Sequence, residues 1–190
     1  METTSILLTG VGGQGTILIS KILAAGLASM GYDVKMSEIH GMSQRGGTVN
    51  TQIKYGKKVY APNIGPGEAD LIVSFEKVET LRALPFLKKG GTIITNAQQI
   101  DPMPVTSGAC EYPVSALDEL RAKDVDIVEF DALSIANEAG SSKAVNLVLM
   151  GVLAKKLGMS DEKWYAAIER MVKPAFVELN KKAFSTSYNM

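Results

Sequence analysis

Short apolar runs alternate with segments of helical periodicity along this chain. Ser5–Thr9, Asp70–Phe75 and Thr92–Thr95 are almost continuously apolar, which is typical of strands buried on both faces of a parallel sheet. Between the first two runs, Gly15–Met30 carries apolar residues at helical spacing over a broad face. This alternation predicts a Rossmann-like α/β fold with an open, mostly parallel sheet and helices on both of its faces.

A second group of strands has a more polar pattern. Asp33–Ser37 is a short strand, and Thr48–Tyr55 alternates β-branched or aromatic residues with polar ones, as a half-exposed strand does. Gly56-Lys57-Lys58 predicts a turn, and Val59-Tyr60 predicts a short return strand. We therefore expect the two polar strands near Thr48 and Val59 to form a hairpin at an edge of the sheet.

Glycine, proline and serine mark further boundaries. Lys88–Gly91 predicts a turn before the strand at Thr92, and the two prolines of Asp101–Pro104 predict a segment without regular structure. Ser115 is placed to cap a helix that runs to Ala122, and Ile127–Phe130 predicts a strand. The last third is predicted to be helical, from Asp131 onward and over Ala144–Leu157, Asp161–Met171 and Pro174–Phe184. No linker or repeat divides residues 1–190, which are predicted to form a single domain.

The first apolar strand runs directly into a glycine-rich loop. Gly10, Gly12 and Gly15 satisfy the pattern G-x-G-x-x-G between a predicted strand and a predicted helix. Glycines there permit a tight turn and the close approach of a ligand or another chain. The N–H groups at the helix start also carry a partial positive charge. A purely structural turn explains the pattern equally well. Under the binding hypothesis, Gly12, Gly13, Gln14 and Gly15 contact a cofactor.

A second unusual loop, Glu38–Gly47, follows the second predicted strand. Arg45, flanked by glycines, is suited to bind a phosphate or carboxylate through two parallel hydrogen bonds. Ser43 and Gln44 add donors, and His40 is the only side chain here that titrates near neutral pH. A binding or orienting role fits His40 better than catalysis. The alternative is a surface loop whose arginine pairs with the glutamate that opens it. The candidate cofactor-binding residues are Gly12, Gly13, Gln14, Gly15, Ser43, Gln44, Arg45 and Gly46.

Composition excludes several functions. Lys plus Arg number 20 and Asp plus Glu number 20, so the formal net charge is +0 at pH 7, and neither nucleic acid nor a membrane is an expected partner. One histidine and one cysteine, Cys110, cannot supply an iron–sulfur cluster or a Cys/His zinc site. The lone cysteine and the lack of a basic, apolar leader predict a cytoplasmic protein. The acidic residues between Glu68 and Glu79 are interpreted as solvated helix caps or surface charges.

Leu8–Gly15 followed by Glu38–Gly47 resembles the gamma-type subunits of ferredoxin-dependent 2-oxoacid oxidoreductases. Among these, the chain is most similar to the small (beta) subunits of indolepyruvate ferredoxin oxidoreductases. Weaker similarities at Ala69–Glu76, Gly90–Thr92 and Glu178–Phe184 extend the resemblance along the chain.

The resemblance implies a supporting subunit that is inactive alone. In this family the complex decarboxylates a 2-oxoacid on thiamine diphosphate, forms an acyl-CoA and passes electrons through iron–sulfur clusters to ferredoxin. Thiamine diphosphate and the clusters are expected on a larger partner subunit, and no cofactor is expected on this chain alone. Coenzyme A is expected, if at all, at a shared cleft bordered by Gly12–Gly15 and Ser43–Gly47, with Arg45 facing an anionic group. The resemblance assigns no catalytic residue and no metal to this chain.

Three other hypotheses remain open from the sequence. The chain is a gamma subunit for pyruvate, 2-oxoglutarate or 2-oxoisovalerate, or a structural partner whose loops contact only protein. The third hypothesis is a self-contained Rossmann enzyme that binds NAD(P) or a flavin through Gly10–Gly15. In that case Glu38 is the acidic residue expected about 20 residues beyond the last glycine.

Overall fold

One six-stranded sheet organises the chain. The computed structural model describes residues 3–40, 47–122 and 125–190. Its strands are β1 (Thr4–Val11), β2 (Asp33–His40), β3 (Thr48–Gly56), β4 (Ala69–Ser74), β5 (Leu87–Asn96) and β6 (Asp126–Phe130). They are arranged in the order β2-β3-β1-β4-β5-β6. Strands β1, β4, β5 and β6 are parallel neighbours, whereas β3 runs antiparallel to both β1 and β2.

Helices cover both faces of this sheet. They are α1 (Thr16–Ser29), α2 (Lys77–Ala83), α3 (Met103–Thr106), α4 (Ala116–Arg121), α5 (Ala132–Ala139), α6 (Val145–Lys156), α7 (Asp161–Met171) and α8 (Val177–Tyr188). Short 3-10 turns occupy Leu84–Phe86, Ser142–Ala144 and Pro174–Phe176. The predicted α/β fold, with its mostly parallel sheet and helical last third, is confirmed. Within the described residues, no helix is long and apolar enough to cross a membrane.

Alternate residues of β1 point into two separate cores. Ile6 and Leu8 belong to the larger core, which α1 and α5 to α8 complete on one face of the sheet. Leu7 points to the opposite face and packs with Ile72 of β4 and Ala83 of α2. Because successive side chains of a strand point to opposite faces, a continuous apolar run is buried on both of them.

The predicted edge hairpin is wrong. Strand β3 lies inside the sheet and forms hydrogen-bonded pairs with β1 on one side and β2 on the other. Both of its edges are therefore occupied, and no return strand forms at Val59-Tyr60. The Val59 N–H instead donates to Oδ2 of Asp33, with an N–O distance of 2.9 Å. The polar alternation of β3 arises because its second face carries side chains that bond to loops and to α2.

Two predicted irregular segments also differ from the structure. Lys88–Gly91 lies within β5 as a bulge, since Leu87 pairs with Ala69 and Thr92 already pairs with Leu71. Asp101–Pro104 contains the start of helix α3, with Pro104 in its first turn. Proline is compatible with the first turn of a helix because the N–H it lacks has no partner there.

Two glycines allow helices to pack unusually closely. A Cβ on Gly26 of α1 would lie 2.6 Å from Cε3 of the fully buried Trp164 of α7. A Cβ on Gly151 of α6 would overlap both Oγ of Ser187 and the carbonyl oxygen of Phe184 in α8. The second contact involves backbone, so it cannot be relieved by a side-chain rotation.

We predict that Gly151→Ala destabilises the chain by about 1–3 kcal/mol, because the added methyl group overpacks the contact between α6 and α8. Helix propensity alone predicts that this substitution stabilises the chain, since alanine is favoured over glycine inside a helix. Urea denaturation measures the change. Ser187→Ala is the control: in the double variant the clash with the Phe184 carbonyl remains, so stability should not recover. A gain in stability for Gly151→Ala would refute the close approach.

Candidate functional site at the carboxyl edge of the sheet

The glycine-rich loop lies where the strand order reverses. From β1 the chain crosses to β2 on one side, whereas β4 lies on the other side, and such a switch point is the usual ligand site of an open α/β sheet. Gly13 and Gly15 have φ angles of +103° and +86°, which side chains other than that of glycine rarely adopt. None of the described residues has an atom within 4 Å of a Cβ built on Gly13. The backbone at Gly13 is therefore open to a ligand or a partner chain.

The Gln14 side chain anchors this loop. Its Oε1 accepts from the Val11 N–H at 2.7 Å. Its Nε2 donates to the Phe75 carbonyl oxygen at 3.1 Å and to Oε1 of Gln98 at 3.0 Å. Phe75 directly follows β4 and Gln98 follows β5. One amide therefore ties the ends of three parallel strands together, and Gly10 leaves room for it, because a Cβ on Gly10 would lie 2.9 Å from Oε1 of Gln14.

The structure brings the end of the second loop to the glycine-rich loop. Strands β2 and β3 are antiparallel neighbours, so the end of β2 at His40 and the start of β3 at Thr48 lie at the same sheet edge as the end of β1. The Gly12 N–H donates to the Gly47 carbonyl oxygen at 2.9 Å. Among the predicted site residues, Gly12, Gly13, Gln14 and Gly15 thus lie together. Ser43, Gln44, Arg45 and Gly46 lie outside the described residues.

Glu38 is not placed as a dinucleotide-binding acid. It pairs with Thr51 of β3, and its Oε1 accepts from the Ser20 hydroxyl of α1 at 3.4 Å. Because β3 separates β2 from β1, Glu38 lies two strand spacings, roughly 9–10 Å, from β1. In a dinucleotide-binding fold the second strand adjoins the first. Because β3 lies between β1 and β2, Glu38 does not occupy the position from which an acidic residue binds the ribose.

Glu76 is buried, so its interpretation as a solvated charge is wrong. The residue is 1% exposed and follows the end of β4. Its Oε2 accepts from the Glu79 N–H at 3.0 Å and so caps α2, while its Oε1 accepts from the Ile100 N–H at 3.1 Å. The Tyr112 hydroxyl also donates to Oε1. Burial, together with this carboxylate, raises the pKa of Tyr112. Glu76 thereby joins the start of α2 to two distant loops.

Glu79 is likewise buried, at 2% exposure. Its Oε1 accepts from Thr48 at 3.2 Å and from the Arg82 guanidinium, whereas its Oε2 bonds to none of the described residues. Buried oxygens of Thr9 and Asn50, which are opposite each other in the β1–β3 pair, also have no described partner. Burial raises the pKa of Glu79, an effect larger than the opposing attraction of Arg82.

Two clefts flank the glycine-rich loop. The acidic cleft, of ≈ 420 Å³, is lined by Val11, Gly47, Glu76, Val78, Glu79, Arg82, Ile100, Asp101, Pro102, Met103 and Thr106. The glycine-loop cleft, of ≈ 550 Å³, is lined by Gly13, Gln14, Gly15, Gln98, Leu133, Ser142, Lys143, Val145 and Asn146. Sequence reasoning missed Gln98, Lys143 and Asn146. Of these three residues, only Asn146 could have been noticed in the sequence, because it is a lone polar residue at the start of an apolar helix.

Relatives in sequence and in structure match nearly the whole chain. A family model described as pyruvate ferredoxin/flavodoxin oxidoreductase matches residues 5–190. An indolepyruvate oxidoreductase subunit, IorB, of Thermococcus kodakarensis is 40% identical over 192 residues, which cover 97% of this chain and 94% of that protein. The resemblance stated from the two loops is confirmed.

Two solved structures show the same fold. The gamma subunit of a keto/oxoacid ferredoxin oxidoreductase from Geobacter sulfurreducens aligns with a TM-score of 0.73 and 22% identity, over 98% of this chain and 96% of that one. A 2-oxoglutarate:ferredoxin oxidoreductase from Magnetococcus marinus, solved with 2-oxoglutarate, coenzyme A and succinyl-CoA bound, aligns with a TM-score of 0.73 and 17% identity. That alignment covers 100% of this chain and 31% of the other.

We predict that Gln14→Glu lowers the free energy of unfolding by about 1–3 kcal/mol at neutral pH, because a carboxylate cannot donate to Phe75 or Gln98. Chemical denaturation measures the loss. Asn63→Asp, an amide-to-carboxylate change at an exposed loop residue, should cost no more than about 0.5 kcal/mol. Equal stabilities of the two variants would show that Gln14 does not anchor the loop.

The raised pKa of Glu79 predicts a dependence of stability on pH. The folded chain holds this proton more tightly than the unfolded chain, so the free energy of unfolding falls as pH rises from the ordinary value of 4.5 through the raised pKa. Glu79→Gln removes this titration, and its stability should fall less over the same range. Urea midpoints measured at several pH values test this, with exposed Glu178→Gln as the control. A Glu79→Gln profile parallel to that of the unsubstituted chain would contradict the prediction.

Proposed function

Because the chain belongs to the pyruvate ferredoxin/flavodoxin oxidoreductase family, we propose that it is the small, non-cluster subunit of an indolepyruvate, or aryl-2-oxoacid, ferredoxin oxidoreductase. The observation that carries this proposal is the 40% identity to an indolepyruvate oxidoreductase subunit over 97% of the chain. Residues 1–190 then form one gamma-type domain, and the proposed location is the cytoplasm.

The proposed complex catalyses CoA-dependent oxidative decarboxylation of a 2-oxoacid to an acyl-CoA and CO2, with reduction of ferredoxin. A larger partner subunit supplies thiamine diphosphate and the iron–sulfur clusters. The residue inventory supports this division, since a chain with one cysteine cannot provide the thiolates of a cluster.

The proposed role of this chain is to complete a cleft at the subunit boundary. The open backbone at Gly13, and its position beside the end of the second loop, support this role. Coenzyme A is the proposed ligand at this cleft, and when bound it accepts the acyl group. The residues fit a ligand of this kind, because glycine backbone, amides and Lys143 line the glycine-loop cleft. In the second loop, Ser43, Gln44, Arg45 and Gly46 are proposed to border the same cleft.

A self-contained NAD(P)- or flavin-binding enzyme is disfavoured by two observations. Strand β3 separates Glu38 from the end of β1. The Gln14 side chain also bonds across the ends of β1 and β4, where a dinucleotide would bind. Neither observation conflicts with a role beside a partner subunit.

We predict that the chain alone does not reduce a viologen dye with any 2-oxoacid, whereas its complex with the thiamine- and cluster-binding subunit does so in the presence of coenzyme A. Anaerobic co-purification followed by dye reduction with indolepyruvate, pyruvate, 2-oxoglutarate and 2-oxoisovalerate tests both parts. Turnover by the isolated chain would refute the supporting role, and a preference for an aliphatic 2-oxoacid would refute the aryl assignment.

In the complex, Arg45→Ala should raise the KM for coenzyme A or the 2-oxoacid far more than it lowers the Tm. Unchanged kinetic constants would show that Arg45 belongs to an ordinary surface loop and does not bind the ligand.

A further inference from the structure

The acidic cleft is a second cavity of the chain, separate from the glycine-loop cleft. Glu79 and Arg82 of α2 line it together with Ile100–Met103, the segment that leads into α3. The two clefts share none of their described lining residues. Coenzyme A is proposed above for the glycine-loop cleft, so the acidic cleft still has no assigned role.

Glu79 contributes a buried carboxylate to this cleft, and only one of its oxygens is satisfied. Its Oε1 accepts from the Thr48 hydroxyl and from the Arg82 guanidinium, whereas its Oε2 has no partner among the described residues. The carboxylate of Glu76, by comparison, accepts a hydrogen bond on each oxygen. A buried carboxylate oxygen without a donor is unfavourable, so Oε2 of Glu79 calls for a donor from a group that enters the cleft.

The charge of the cleft favours a cationic donor. Three of the described lining residues are acidic, namely Glu76, Glu79 and Asp101. Only Arg82 is basic among them, so this part of the lining has a formal net charge of −2. The Arg82 guanidinium is already bonded to Oε1 of Glu79 and, at 3.0 Å, to Oγ1 of Thr48. A further cation is therefore attracted to the cleft.

The remaining walls are mostly apolar, which determines what kind of cation fits. The apolar lining residues are Val11, Val78, Ile100, Pro102 and Met103. Magnesium and calcium ions are poorly matched, because they take oxygen ligands on all sides. A basic side chain is well matched, because it has an apolar stem and a charged head. Met103 is 78% exposed, and methionine is enriched at protein–protein interfaces.

We infer that the acidic cleft receives an arginine or lysine side chain of a partner protein. The charged head of that side chain donates to Oε2 of Glu79, and its stem packs against Val78 and Met103. The inference rests on the proposed function for the identity of the partner, which is the larger subunit. The cleft itself depends only on residues of this chain.

N-acetylarginine methyl ester probes the cleft of the full chain in the absence of a partner. Saturation-transfer nuclear magnetic resonance should detect its binding, whereas N-acetylnorleucine methyl ester, which has an apolar stem without a charge, should not bind. Glu79→Gln keeps an acceptor for Thr48 but removes the charge, so affinity for the arginine ester should fall about tenfold. Glu178→Gln, an equal loss of charge at an exposed position of α8, should leave the affinity unchanged.

Three results of this titration would overturn the inference. The first is that the arginine ester does not bind or binds no better than the norleucine ester. The second is an equal affinity of Glu79→Gln and the unsubstituted chain. The third is tighter binding of the arginine ester by Arg45→Ala, which would assign the cleft to an arginine of the chain itself.

The assembled complex tests the partner. Met103→Lys adds an ammonium group that competes for the cleft, and Met103→Gln is the control of similar size without a charge. Both variants should fold normally, because residue 103 is exposed. The dissociation constant for the larger subunit should rise about tenfold in Met103→Lys and less than about threefold in Met103→Gln. Equal dissociation constants of the two variants would refute the inference alone. A larger subunit that does not bind the unsubstituted chain, although that chain binds the arginine ester, would refute the proposed function alone.

Discussion

The side-chain amide of Gln14 is the interaction on which the carboxyl edge of the sheet depends. It bonds to the last residue of β1, to the carbonyl that follows β4 and to a side chain beyond β5. A glutamine can do this because its amide offers an acceptor on one atom and two donors on the other. The amide occupies the space between β1 and β4, so the open surface of the loop is displaced to Gly13 and the start of α6.

The second organising group is the carboxylate of Glu76. It caps α2, accepts from the backbone at Ile100 and binds the Tyr112 hydroxyl. Its burial is tolerable because three donors replace the lost water. The neighbouring Glu79 is also buried, and this burial raises its pKa. One side of the glycine-rich loop is therefore acidic and the other basic, although the chain as a whole has no net charge.

Local patterns predicted the parallel strands and the long helices, because apolar periodicity is a property of neighbouring residues. The place of β3 could not be predicted in this way. Its alternation shows that one face is polar, but not that both of its edges are paired. The burial of Glu76 was hidden for a related reason, since the tyrosine that covers it is 36 residues away. Asn146 meets the glycine-rich loop across a still larger separation. In each case the decisive partner is distant in sequence.

The contact between Gly26 and Trp164 has a consequence for synthesis of the chain. The apolar face of α1, which includes Leu23 and Leu27, is completed by helices from the last third of the sequence. Until α7 leaves the ribosome, the sheet and α1 expose surface that only later residues can cover. At about 5–20 residues per second, the delay across this part of the chain is on the order of ten seconds. A chaperone would therefore find the most exposed apolar surface on the nascent chain during this delay, when the N-terminal half has been synthesised and α7 has not.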